Sequence, residues 1–183
     1  MSGFRHLGDD DIADLARLRV VRGRFEAPDG ARFERELVRN QEVVAMVPLL
    51  DDGHTVLLVR QYRGPIDALL LEIPAGLCDV DGEEPRTTAA RELAEEVGQM
   101  AGSLELIARF HPAAGFSDQF VRLYLATDLR SVPDDRQGPE EHHMTIEEFD
   151  LDELDRAVDD GTLKDAKTLI GLLRTRELLR NRR

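Results

Sequence analysis

Apolar and polar positions change period several times along the chain, and each change marks an element. Residues 17–25 and 31–38 alternate loosely on either side of Ala27-Pro28-Asp29-Gly30, a turn signal, and so predict a β-hairpin. Denser apolar runs at 43–50 and 54–63, joined by Asp51-Asp52-Gly53, predict core strands in a second hairpin. A short strand is expected at 69–73, then a helix over 86–97 closed by Gly98. Two further strands, 104–110 and 120–127, precede 128–143, a stretch rich in Pro, Asp, Glu and Gly without apolar period that reads as a mobile loop. A short acidic helix at 152–159 and a longer one from 166 to near Leu179 end the chain; Leu169, Ile170, Leu172, Leu173 and Leu178 give the longer one an apolar stripe. No internal repeat or low-complexity tract interrupts this order, which predicts an α/β protein, a mixed sandwich.

Composition narrows the class. The 183 residues suffice for one well-buried domain with a small appendage, and 42% hydrophobic with 33% charged residues is ordinary for a globular protein. No apolar run approaches the roughly 18 residues of a membrane span, and the first residues lack the apolar core of a secretory signal, so a cytoplasmic location is expected. Cys78 is the only cysteine, which excludes an intramolecular disulfide and a cysteine zinc cage. A net charge of -13 argues against nucleic-acid and anionic-membrane partners, which are held through Lys and Arg. A phosphorylated small molecule would need local arginines or metal ions.

Candidate chemistry concentrates between Glu72 and Gly98, in EIPAGLCDVDGEEPRTTAARELAEEVG. Helical spacing sets Glu92, Glu95 and Glu96 on one face, with Arg91 one turn before Glu95. Like charges at that spacing cost roughly 0.2–0.5 kcal/mol per pair when exposed, and a divalent cation would reverse the sign. Clustered carboxylates suit hard ions such as Mg²⁺ or Mn²⁺, held together with water and substrate phosphate. Taken alone, the segment could equally be a solvated amphipathic helix.

The wider pattern separates the two. Gly76, six residues, Glu83, seven residues and then Arg91-Glu92-Leu93-Ala94-Glu95-Glu96-Val97-Gly98 resembles the Nudix box. There are two departures, one extra residue between Gly76 and Glu83 and Gln99 where an apolar residue is usual. Outside the box, LLVRQYR, LLEIPAG and GFSDQ resemble the ADP-ribose pyrophosphatase branch of the Nudix hydrolases. The resemblance implies a Nudix α/β/α sandwich with a mixed sheet at 43–183. It also implies an N-terminal antiparallel β-sheet extension at 1–42 that pairs two copies into a homodimer.

Carried over residue by residue, the resemblance implies metal ligation by Glu92, Glu95, Glu96 and the carbonyl of Ala75. Arg91 would orient a box carboxylate, and Glu83 would brace the loop against the helix. Arg63 would contact phosphate, though an edge-strand surface arginine is the plain alternative. Glu72 would bond a ribose or the loop backbone, and Phe116 would pack near substrate or fill the core. The implied reaction is attack of water on a pyrophosphate phosphorus, with Glu141, or Glu140 beside it, as general base. His142, His143 and Cys78 read as ordinary loop residues.

The implied substrate is a nucleoside diphosphate linked to a second group, ADP-ribose first. Ala114, where a proline is common, and Gln119, where a glutamate is common, depart from the ADP-ribose pattern. A nucleoside diphosphate hexose is the alternative substrate, and a non-catalytic nucleotide-sensing domain the alternative class.

Overall fold

A computed structural model of the protein describes residues 3–15, 18–133 and 142–182. The chain forms two compact units: residues up to Glu42 together with His111–Phe120, and Val43–Phe110 together with Val121–Arg183.

In the first unit, strands β1 (Arg5–Asp14), β2 (Arg19–Glu26) and β3 (Arg32–Arg39) form an antiparallel sheet in the order β1-β2-β3. The β2–β3 turn closes as its sequence requires. Asp29 Oδ1 accepts from the Ala31 N–H at 3.0 Å, and Gly30 takes φ 86°, a left-handed conformation that glycine adopts without strain. Strand β1 was not expected, because its RHLGDDDIAD sequence carries three consecutive acids and little alternation. Pairing with β2 and cross-strand ion pairs hold it: Asp10 with Arg24 at 3.3 Å, Asp11 with Arg19 at 2.6 Å, and Asp9 with Arg39 of β3 at 2.9 Å. The segment His111–Phe120 joins this unit through Val38, whose N–H donates to the Phe116 carbonyl at 2.8 Å, and through Asp118, which accepts from the Asn40 N–H at 2.8 Å.

The second unit holds strands β4 (Val43–Pro48), β5 (Thr55–Arg63), β6 (Ala68–Glu72), β7 (Ala75–Leu77), β8 (Gln99–Phe110), β9 (Val121–Ser131) and β10 (Thr145–Asp150). Its helices are α1 (Pro85–Val97), α2 (Leu154–Asp159) and α3 (Ala166–Arg182). One mixed sheet runs β7-β4-β9-β8, with β4 and β9 parallel, and an antiparallel sheet runs β10-β5-β6.

The β4–β5 hairpin expected from sequence does not form. The turn is there, closed by Leu50 and Thr55, but only Leu49 and Val56 bridge before the strands part into different sheets. Val44–Val47 and Val56–Val59 are buried on successive positions, so each strand is central to its own sheet and uses both edges for other partners. Strands β7 and β10 were missed, the first because it is three residues long and the second because its acids mask the alternation. Part of the expected loop at 128–143 is instead the end of β9, and residues 134–141 lie outside the described ones.

Side chains of β4 alternate between two cores. Val44 and Met46 pack with Ala89, Leu93 and Val97 of α1, while Ala45 and Val47 pack with Leu58, Ile73, Leu123 and Leu172. Helices α1 and α3 thus cover opposite faces of the mixed sheet, an α/β/α arrangement, and burying a side chain such as Leu93 stabilises it by about 1.5–3 kcal/mol. Gly171 lets α3 come close: a Cβ there would stand 2.9 Å from Val47 Cγ2. None of the helices among the described residues is long and apolar enough to cross a membrane.

Candidate active site

Strand β7 and helix α1 create the centre of the site. Strand β7 pairs only with β4, which sets Ala75 and Gly76 against α1. Glycine at 76 makes room for the Glu92 side chain, because a Cβ there would fall 2.0 Å from Glu92 Cδ and displace it. One turn along, the buried Glu96 turns its Oε2 to the Ala75 N–H at 3.0 Å. Pro85 starts α1, and Gly98 ends it in left-handed conformation (φ 61°), so the box glutamates occupy regular helix.

Arg91 gathers the acids. Its Nη1 donates to Glu92 Oε1 at 2.8 Å and Glu95 Oε2 at 3.1 Å, and its Nη2 to Glu83 Oε2 at 3.3 Å, with Asp79 Oδ1 3.7 Å away. Glu83 also accepts from the buried Thr88 hydroxyl at 2.8 Å, which ties the loop before the helix to its first turns. Arg91 Nε is buried and has no partner among the described residues. Burial pushes Glu92 up to about 7, with Glu95 and Asp79 adding repulsion that Arg91 only partly offsets. Burial would lower Arg91, but Glu83, Glu92 and Glu95 outweigh it and hold it well above its ordinary value.

The three box glutamates share a helix, yet the side chains divide: Glu92 and Glu95 take the guanidinium, and Glu96 takes the backbone of β7. Among the described residues, no three acidic, His or Cys side chains stand around one point ready to hold an ion. The donor set nevertheless fits a hard divalent cation. It offers only oxygen, it carries more acid than the single arginine balances, and Gly76 gives the Glu92 carboxyl room against β7.

A second cluster adjoins the end of β5. Arg63 is bidentate on Glu72, Nε to Oε1 at 2.6 Å and Nη2 to Oε2 at 2.7 Å. Glu72 is 1% exposed and also takes Lys167 Nζ on Oε2. Lys167 in turn meets Asp165 Oδ1 at 3.0 Å. Asp165 accepts from the Thr168 N–H at 2.9 Å and hydroxyl at 2.6 Å, and Thr168 Oγ1 accepts from the Ile73 N–H at 2.9 Å. Burial would raise Glu72, but Arg63 and Lys167 outweigh it and keep the carboxyl below its ordinary value. Among the described residues, Glu72 is thus the buried seat of Arg63 and Lys167. Sequence reasoning missed Lys167, for which the only signal was the rarity of lysine in a chain where Lys164 is the other.

Phe116 belongs to the N-terminal unit and is 57% exposed, so it does not fill the core. Glu140 and Glu141 lie outside the described residues. Cys78 is half-buried and packs against the α1 core.

Comparison with known proteins identifies the family. The model of the NUDIX domain matches residues 39–170, and the chain belongs to the Nudix family. It is a Nudix hydrolase, of a family whose members generally need a divalent metal ion. It is 40% identical over 170 residues to the ADP-ribose pyrophosphatase of Mycobacterium tuberculosis, covering 93% of this chain and 82% of that one. The ADP-ribose pyrophosphatase of Bacillus subtilis is 36% identical over 143 residues, 78% of this chain and 76% of that one. A crystal structure of an ADP compounds hydrolase superposes with a TM-score of 0.85 at 26% identity, covering 98% of this chain and 95% of that one.

Proposed function

We propose that this Nudix hydrolase cleaves the pyrophosphate bond of ADP-ribose, giving AMP and ribose 5-phosphate, with Mg²⁺ (or Mn²⁺) as its metal. The observation that carries the reading is the acid-rich box built on Gly76, Glu92, Glu95 and Glu96 around one arginine, in a chain 40% identical to an ADP-ribose pyrophosphatase. When bound, the cation polarises the diphosphate and lowers the pKa of the attacking water. Glu92, Glu95, Glu96 and the Ala75 carbonyl would hold it. The Ala75 N–H fixes Glu96, Arg91 orients Glu92 and Glu95, and Glu83 steadies Arg91.

Water oxygen forms the new bond to phosphorus, the bridging P–O bond breaks, and the water's proton passes to a base, assigned to Glu141 with Glu140 as the neighbouring choice. Arg63 directs its remaining nitrogen, Nη1, which has no partner among the described residues, to a phosphate oxygen. The pairing of two copies into a homodimer rests on the N-terminal unit, where Phe4, Leu7, Ile12, Leu15 and Leu18 are exposed. The enzyme is placed in the cytoplasm, without nucleic-acid or membrane partners.

Catalytic efficiency across a panel of nucleoside diphosphate derivatives with Mg²⁺ tests the substrate. ADP-ribose is expected to rank first; a nucleoside diphosphate hexose well above it would replace it. Ala114 and Gln119, which depart from the ADP-ribose pattern, are the reason to include that second substrate class. Ligand binding without metal-dependent turnover of any panel member would point to a nucleotide sensor instead.

A further inference from the structure

Lys167 belongs to the first turn of α3, far in sequence from the box, yet its ammonium lies on the buried Glu72 carboxylate that seats Arg63. The four groups are balanced, with Glu72 and Asp165 against Arg63 and Lys167, and the contacts form a closed chain. Asp165 steadies Lys167 at 3.0 Å and Thr168 at 2.6 Å, and Thr168 is bonded to the Ile73 N–H at 2.9 Å, the residue next to Glu72. Glu72 is 1% exposed and Lys167 15%, whereas the Arg63 side chain is 41% exposed. The buried half of the network is thus held in place, and the Arg63 side chain is its most exposed member.

Glu72 Oε2 accepts from both Arg63 Nη2 and Lys167 Nζ, so the ammonium sets how the carboxylate is turned, and the carboxylate sets the plane of the guanidinium. Without Lys167, Glu72 would keep one buried counter-ion and could rotate to draw Arg63 inward, away from an incoming anion. We propose that Lys167 is a positioning residue for the diphosphate, acting through Glu72 to aim Arg63. The proposal rests on the reading of Arg63 as a phosphate contact.

The test uses the full chain with Mg²⁺ and the panel's best substrate. Lys167→Met is expected to raise KM about tenfold with kcat within about twofold, and Lys167→Arg to recover most of that loss. Arg63→Ala should raise KM at least as much, and adding Lys167→Met to it should raise KM no further, because a residue acting through Arg63 has nothing left to aim. A role confined to holding α3 would lower the thermal midpoint and add to the Arg63→Ala effect instead; additivity, or an unchanged KM in Lys167→Met, overturns the proposal. An unchanged KM in Arg63→Ala overturns the phosphate reading itself, and the proposal with it. Should Lys167→Met prove too unstable, Asp165→Asn loosens the same ammonium, with an expected KM increase of about threefold. Its affinity for a non-hydrolysable methylene diphosphate analogue should fall in parallel, and an unchanged affinity counts against the proposal.

Discussion

The acids around Arg91 and those around Arg63 belong to the same unit, yet their charges are arranged differently. At Glu72 two carboxylates meet two cations, and burial does not prevent the carboxyl from staying below its ordinary value. Around Arg91, Glu83, Glu92, Glu95 and Asp79 share one guanidinium, and Glu92 is pushed up to about 7. A balanced cluster is complete as it stands and can serve as a rigid mount. An unbalanced one is stable only as far as something else supplies positive charge, which a divalent cation does. The difference separates a group that holds from one that, on the proposed function, binds a cation.

Substitution of the box glutamate beside the unbalanced cluster should have the largest effect. Glu96→Gln is expected to reduce turnover by more than the roughly 10- to 100-fold typical of losing a residue that only orients a metal ligand. Chelation of the divalent metal should remove activity to the same degree, and readdition should restore it. A Glu96→Gln enzyme with near-parental turnover at saturating Mg²⁺ would remove Glu96 from the metal-binding set.

A smaller loss is expected from Gly76→Ala, in which the new methyl overlaps the Glu92 carboxyl. Displacing that carboxyl should cost activity about 10- to 100-fold, with a raised metal requirement. Parental metal dependence in this variant would mean that Glu92 can leave Gly76 without consequence.

The smallest effect is the pH response of the balanced cluster. Because the folded pKa of Glu72 is depressed, the unfolded chain takes the proton first, near 4.5. The stability this carboxylate contributes is complete above that value and is lost as pH falls through the lower folded one. Glu72→Gln should therefore flatten part of the decline in thermal midpoint as pH falls below about 4.5. An equally steep decline in both proteins would show that the cluster contributes nothing to acid stability.

Legibility followed the range of the interaction. Helix α1, its Gly98 stop and the box spacing are local, and they could be read directly because helix periodicity and capping need only neighbouring residues. The Asp51-Asp52-Gly53 turn was also legible, but its consequence was not, since a turn signal does not say whether the flanking strands pair with each other. Strand β1 escaped for a related reason: its acids find Arg19, Arg24 and Arg39 only across the sheet. Ser117 and Phe116 were read as part of a motif, whereas the fold uses their backbone to extend the N-terminal unit along Val38.

By itself the sequence determined the mixed α/β class, the box and the excess of acid, because these depend on spacing along one helix and one loop. Tertiary structure decided which acids are balanced. It alone brought Lys167, 95 residues away, onto Glu72, turned Glu96 to the backbone of β7 and left Glu92 and Glu95 to a single arginine. The physical reason is that charge compensation acts through space, over a few ångströms, while the sequence records only distance along the chain.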